Sequence, residues 1–357
     1  MPYATQTPSA RVADAQAMEK IAQEIHQLAL AALPAGSPNL SLYQEMLNTV
    51  VRMAQADRNR WDAKILLQTM REMERSFDRL SQLRHRRKVT VFGSARTPED
   101  HGLYKQARDL GSALAKNNWM VITGAGGGIM AAAHEGAGRE NSLGLNITLP
   151  FEQSANATVE GSENLLSFHF FFVRKLFFIK EADAIVLSPG GFGTLDEALE
   201  ALTLIQTGKS PLVPIILLDE PGGTYWHDMM DYIKKQLVGH RYISESDLRL
   251  MRLTDNVDVA VDEIEQFYRN YNSSRWHNGQ FIIRLNHALS TDAVTQIQQK
   301  FRDICPADDF VQHLQCSQSV DRGELAELPR LIFTFNGRDH GRLRELYNFI
   351  NNPAHFS

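Results

Sequence analysis

The chain has 357 residues, 43% of them apolar and 22% charged, with a net charge of −5. That length accommodates two or three domains with a buried core, and the acidic balance argues against a general nucleic-acid binder. Cys305 and Cys316 fit no disulfide or zinc spacing, no apolar run reaches the ~20 residues of a membrane span, and the first residues lack a basic-then-apolar leader, so a cytoplasmic protein with no membrane contact and no metal is expected.

Residues 1–87 read as helical. A first helix, about Ala13–Leu33, is broken by Pro34-Ala-Gly-Ser-Pro38. Two further stripes keep 3/4 spacing: Tyr43, Met46, Leu47, Val50, Val51, then Leu66, Met70, Met73, Phe77, Leu80. Such stripes point to core or subunit packing. The run Arg84-His-Arg-Arg-Lys88 closes the region, and cations are favoured at a helix C-terminus without any nucleic-acid partner.

From Lys88 strands alternate with helices. Val89–Phe92 is a strand ending in Gly93-Ser94-Ala95-Arg96, followed by a helix over Pro98–Lys116. Trp119–Ile122 is a strand closed by Thr123-Gly-Ala-Gly-Gly-Gly128, and Ile129–Ala137 is a helix. Leu143–Leu149 reads as a third strand, Phe170–Ile179 as a buried helix carrying Arg174 and Lys175, and Ala184–Leu187 as a fourth strand. The helix after it runs to about Thr207, Val213–Leu218 is a fifth strand, and Tyr225–Val238 and Val257–Tyr271 are closing helices. This alternation predicts an α/β fold with a doubly wound, Rossmann-like parallel sheet over 88–273. Residues 274–357 give a β-α-β-β-α order, expected to form a small α+β module of ferredoxin-like or ACT-like type.

Ligands of open α/β sheets bind at the carboxyl ends of the strands, near the reversal of strand order. Three glycine loops fall at such ends: Gly93–Arg96, Gly124–Gly128 and Gly190–Thr194. Their spacing matches neither GxGxxG with a ribose-binding acid ~20 residues on, nor a GxxxxGK[ST] loop, which disfavours a dehydrogenase or an NTPase. The segment Pro189-Gly-Gly-Phe-Gly-Thr-Leu-Asp-Glu197 combines a phosphate cradle at a helix start with a carboxylate one turn later. Thr194-Leu-Asp-Glu197 is equally a capping box, with the glutamate reaching back to the helix start. Arg174 and Lys175 stand among Phe170, Phe171, Phe172, Leu176, Phe177 and Phe178, where unpaired cations are costly; an anionic ligand or Glu197 would compensate them.

An Arg-Lys pair followed by Pro-Gly-Gly-x-Gly-Thr-x-x-Glu resembles the signature of the LONELY GUY (LOG) family of nucleotide 5′-monophosphate phosphoribohydrolases, long labelled lysine decarboxylase-like. Val91-Phe-Gly-Ser-Ala-Arg96, Val121-Ile-Thr-Gly124, Gly128-Ile-Met130, Gly144-Leu-Asn-Ile147 and Leu202–Gly208 extend the likeness to the bacterial branch, over roughly Lys88–Tyr271. Gly124-Ala-Gly-Gly-Gly128 departs from the more usual Gly-Gly-Gly-Pro-Gly. The resemblance implies that Arg174 and Glu197 are catalytic and that Gly190, Gly191, Gly193 and Thr194 hold the 5′-phosphate. It further implies that Gly93, Ser94, Arg96, Gly124, Gly126, Gly127, Gly128, Met130 and Lys175 help bind the nucleotide. The implied reaction releases the base from AMP or a cytokinin riboside monophosphate, without a cofactor, in a homodimer or larger homo-oligomer. Amino-acid decarboxylation would need a pyridoxal phosphate anchor that the sequence does not present. A non-catalytic nucleotide binder, similar in fold to molybdenum-cofactor carriers, is the rival reading.

Overall fold

The computed structural model of the chain describes residues 8–57, 59–148, 154–307, 309–315 and 323–357. Cys316 and Leu149 lie outside the described residues. By internal contacts the chain divides into two compact units, Met1–Met70 and Arg71–Ser357.

The first unit is helical. Helix α1 (Pro8–Ala32) ends just before the proline-bounded break, and α2 (Leu40–Gln55) follows it. Ile25 and Ala29 of α1 are buried, whereas Tyr43, Met46 and Val50 of α2 are exposed, so the apolar stripe of α2 is not a core here. Helix α3 (Arg60–Gln82) begins in this unit.

The second unit is built on a seven-stranded parallel sheet: β1 (Lys88–Phe92), β2 (Met120–Thr123), β3 (Ser142–Ile147), β4 (Leu165–Phe168), β5 (Ala184–Leu187), β6 (Ile215–Leu218) and β7 (Met251–Thr254). Its spatial order is β4-β3-β2-β1-β5-β6-β7. The chain therefore winds outward from β1 in one direction, then returns to its other side at β5, with Val89 opposite Ala184 and Phe92 opposite Leu187. Alternate residues serve opposite faces, as the two-residue period of a strand requires. Val89, Val91, Val121, Val186 and Ile216 pack under α4 (Gly102–Lys116), α5 (Ile129–Ala137) and α9 (Val257–Phe267). Phe92, Ile122, Leu145, Leu187 and Leu217 pack under α6 (Phe171–Lys180) and α7 (Phe192–Gln206). Each such fully buried side chain contributes about 1.5–3 kcal/mol, and cover on both faces is why the central strands are continuous apolar runs.

The sequence pattern identified five strands; the two it missed, β4 and β7, are the two edges of the sheet. Their residues are largely half-buried, as edge strands covered on fewer sides are, so neither carries an unbroken apolar run. Helix α6 also departs from expectation. Only Val173, Phe177 and Phe178 are buried, while Phe171, Phe172 and Leu176 are exposed, so the helix is amphipathic and its cations are not enclosed by aromatics on all sides.

After helix α8 (Tyr225–Tyr232) and α9, a second sheet of four antiparallel strands has the order β10-β11-β9-β8. It comprises β8 (Tyr271–His277), β9 (Gln280–Leu285), β10 (Val311–His313) and β11 (Arg330–Phe333), with helices α10 (Thr291–Lys300) and α11 (His340–Ile350). Strand β8, half-buried and rich in polar residues, is an addition to the expected β-α-β-β-α order. Among the described residues no helix is long and apolar enough to cross a membrane.

Candidate functional site

The reversal of strand order lies between β1 and β5, and the segments leaving these strands meet there. Ser188 N donates to Phe92 O at 2.8 Å, and Ser94 N donates to Pro189 O at 3.1 Å. The loop after β2 joins them, because Ile129 N donates to Ser94 O at 3.0 Å. All three glycine loops thus converge on one end of the sheet.

The close approaches need glycine at two points. A Cβ on Gly128, whose φ is +59°, would lie 2.3 Å from Ser94 O. One on Gly190 would lie 2.2 Å from Thr194 Oγ1 and 3.0 Å from Ser94 N. By contrast a Cβ on Gly191 or Gly193 would meet nothing within 4 Å, so these two border open space.

Helix α7 starts at Phe192 with Gly191 as its N-cap and no side-chain cap. Thr194 is therefore inside the first turn and Glu197 in the second. The capping-box reading of Thr194 and Glu197 is overturned: a glycine took the cap position, leaving the N–H groups of the first turn without a side-chain acceptor. Thr194 N donates to Gly191 O at 3.0 Å.

Released from capping, Glu197 is a buried carboxyl, and among the described residues its Oε2 has no hydrogen-bond partner. Burial pushes its pKa up from 4.5 to about 7 against the pull of Lys175 and then Arg174, while Asp196 and Glu200 push the same way as burial. Arg174 lies one helix away. Its Nε is buried without a partner among the described residues, and burial lowers its pKa while the Glu197 charge supports it. The guanidinium faces the Phe171 and Phe178 rings at 5.0 and 5.4 Å. Its Nη1 stands 3.8 Å from where a Gly124 Cβ would be, which puts Arg174 over the β2 loop, beside Met130, whose Sδ would be 2.9 Å from that same Cβ.

Lys175 points elsewhere. Its Nζ is 2.6 Å from Asp196 and 2.7 Å from Glu200. Burial works against its charge, yet hydrogen bonds to those two carboxylates hold its pKa above the ordinary value. Arg96 is exposed, and its N donates to Ser94 Oγ at 3.1 Å. Among the described residues no cluster of His, Cys, Asp or Glu is arranged to hold a metal ion.

Four positioning residues escaped the sequence reading. Thr123 Oγ1 accepts from Ala125 N at 2.9 Å and lies 3.2 Å from His134 Nε2. The other ring nitrogen of His134 is 3.2 Å from Asn156 Nδ2, which also donates to Gly126 O at 3.1 Å. Asn156 N donates to Ala125 O at 2.8 Å. Burial drives the His134 pKa down to about 4, so the ring is neutral and bridges donor and acceptor. This clasp holds Ala125 at φ +59°, a left-handed conformation unfavourable for a residue with a Cβ, at the position where the LOG pattern usually has glycine. Across the cleft Tyr225 OH donates to Gly190 O at 2.7 Å. The Thr123-Gly124 junction was the one local signal available; His134 and Asn156 are 22 residues apart and nothing in their neighbourhoods links them.

Residues 128–264 match the family model described as "Possible lysine decarboxylase". The chain is 27% identical over 186 residues to the cytokinin riboside 5′-monophosphate phosphoribohydrolase LOG3 of Arabidopsis thaliana, spanning 51% of this chain and 83% of the relative. It is 25% identical to a probable enzyme of the same name, LOGL6, from Oryza sativa subsp. japonica, over 51% of this chain and 71% of that one. Among solved structures, a structural-genomics target is 28% identical, covering 50% of this chain and 99% of its own, with a TM-score of 0.37. A molybdenum cofactor binding protein from Rippkaea orientalis is 20% identical, covering 50% and 96%, with a TM-score of 0.36. Arg174, Gly190–Thr194 and Glu197 all lie inside the matched segment, residues 128–264, which is similar to the domain of the LOG family.

Proposed function

We propose that the protein is an N-glycosyl hydrolase that splits a purine-type nucleoside 5′-monophosphate, AMP or a cytokinin riboside monophosphate, into the free base and ribose 5-phosphate. The observation that carries this reading is Glu197. It is a buried carboxyl with a free oxygen and a pKa of about 7, set in the second turn of a helix whose glycine N-terminus opens onto the switch point of the sheet. The relatives named as phosphoribohydrolases support the same reaction class.

In this reading the 5′-phosphate sits against the uncapped first turn of α7, beside Gly191 and Gly193, where orphan N–H groups and the helix dipole favour an anion. Phosphate binding fixes the ribose and takes no part in bond breaking. As the C1′–N bond breaks, its electron pair leaves with the base, which gains a proton, and positive charge develops on the sugar. Ionised Glu197 faces that charge and accepts a proton from the water whose oxygen bonds to C1′. Arg174 keeps the carboxylate ionised and oriented, or holds ligand oxygens with its fixed fork of donors.

The test is base release from AMP and from isopentenyladenosine monophosphate, followed by chromatography. We expect release from at least one, and loss of release with retained nucleotide binding in Glu197→Gln. A folded wild-type protein that binds nucleotides across a panel but releases no base would instead establish the non-catalytic reading.

A further inference from the structure

An apolar cavity of the second unit lies away from the switch point. It has a volume of about 760 Å³ and lies at the opposite, amino-terminal ends of β5 and β6, where α6, α7 and the start of β8 meet. Its volume falls within the range of small-molecule sites, which are apolar pockets with a few convergent polar groups at the junctions of substructures. Ile179, Leu204, Ile205 and Leu212 form its apolar wall, and Tyr271 closes it from the side of the four-stranded sheet.

The charges at its rim are unevenly matched. Arg87 lies 3.8 Å from Asp183 and 3.6 Å from the Tyr268 ring, and Lys175 is held by Asp196 and Glu200. Lys209 makes no ion pair among the described residues. It is not on a loose tail: Lys209 N and Ser210 N both donate to Leu204 O, at 2.8 and 3.1 Å, fixing the turn that carries Lys209 at the cavity's rim. An apolar chamber with one unmatched anchored cation fits a small organic anion, with its ring-sized body against the leucines and its charged group at Lys209.

Two wall residues connect this cavity to the proposed catalytic carboxylate. Lys175 and Glu200 line it, and Glu200 is one helical turn beyond Glu197 on α7. Lys175 is also the foremost of the charges that favour ionised Glu197. An occupant that draws Lys175 toward itself, or shifts Glu200, alters the balance of charge around Glu197 without entering the nucleotide cleft.

We propose that this cavity is a second binding site, specific for a small aromatic monoanion, and that its occupancy modulates Glu197 through the Lys175–Glu200 pair. The modulation rests on the catalytic reading of Glu197; the binding does not.

The probe is 8-anilinonaphthalene-1-sulfonate, an aromatic monosulfonate whose fluorescence reports transfer to an apolar site, titrated into the full-length protein. We expect a saturable site that Lys209→Glu weakens at least fivefold, that Leu204→Trp abolishes by filling the chamber, and that saturating AMP does not displace. A titration unchanged by both variants places the probe elsewhere and overturns the site, as does displacement by AMP. Sedimentation of the same samples decides a further alternative: if Leu204→Trp yields a smaller species and only that species binds the probe, a second copy of the chain covers this face and the proposal fails. Lys209 is exposed, so Lys209→Glu keeps the fold intact where the tryptophan variant disturbs it. In the activity arm, bound probe shifts the midpoint of the pH profile for base release. Binding that leaves the profile unmoved refutes the modulation, whereas absent base release with intact binding refutes the catalytic reading alone.

Discussion

Replacing Glu197 by glutamine separates the energetic cost of this carboxyl from its chemistry. The side chain is 5% exposed, and burial raises its pKa from 4.5 to about 7. A carboxyl so raised is protonated in the folded protein while the unfolded chain would already have released the proton. Its contribution to stability is therefore fully present below pH 4.5 and is lost as pH rises towards 7. At about 1.4 kcal/mol per pH unit, the loss reaches roughly 3 kcal/mol above pH 7. Glutamine has the same shape and never ionises, so Glu197→Gln should match the wild type near pH 4.5 and exceed it by roughly 3 kcal/mol at pH 8, as read by thermal or urea unfolding at a series of pH values. Hydrolysis should be lost across the whole range. A stability difference independent of pH, or one that shrinks as pH rises, would refute the account of Glu197 as a strained, buried carboxyl. A variant both more stable and inactive is the pattern of a site whose ionisation is maintained against the fold.

Lys175→Met removes the leading charge that holds the Glu197 pKa down, so the acid limb of the kcat/KM profile should move to higher pH; a shift to lower pH would contradict the assigned interaction. Asn156→Ala releases the Gly126 carbonyl and one nitrogen of His134, and should cost roughly 1–3 kcal/mol of stability while raising KM for the nucleotide; equilibrium unfolding and steady-state kinetics check both. Gly190→Ala forces a methyl onto Thr194 Oγ1 and should cost about 1–3 kcal/mol with loss of nucleotide binding. Gly191→Ala meets no protein atom within 4 Å and should keep wild-type stability while weakening phosphate binding; calorimetric titration with AMP distinguishes the pair.

The central strands were legible because burial on both faces demands apolar residues at every position, as in Ala184–Leu187 and Ile215–Leu218. Where cover is partial the signal fades, and β4, β7 and β8 are all of that kind. The glycine loops were legible as well, since glycine marks places where backbones must nearly touch. Glu197 was visible but its local role was misread: Thr194 suits a cap by chemistry, yet Gly191 occupies the cap by geometry. Aromatic residues around Arg174 suggested enclosure, whereas helical periodicity turns Phe171 and Phe172 outward. The His134–Asn156 clasp has no sequence signature, because it depends on side chains that only the folded loops bring into register.

The pairing of β1 with β5 also governs when a working site can exist. Lys88 N bonds to Asp183 Oδ2 at 2.9 Å across 95 residues of chain. As the protein emerges during synthesis, β1 to β4 and two of the glycine loops are complete well before Glu197 appears. The half-formed protein already exposes one side of the cleft but still lacks Glu197. Insertion of β5 beside β1 closes a large loop at modest entropic cost and in one step joins the phosphate cradle, Arg174 and Glu197 to the waiting edge. On the proposed function, hydrolytic competence is acquired together with the last contact of the sheet's centre.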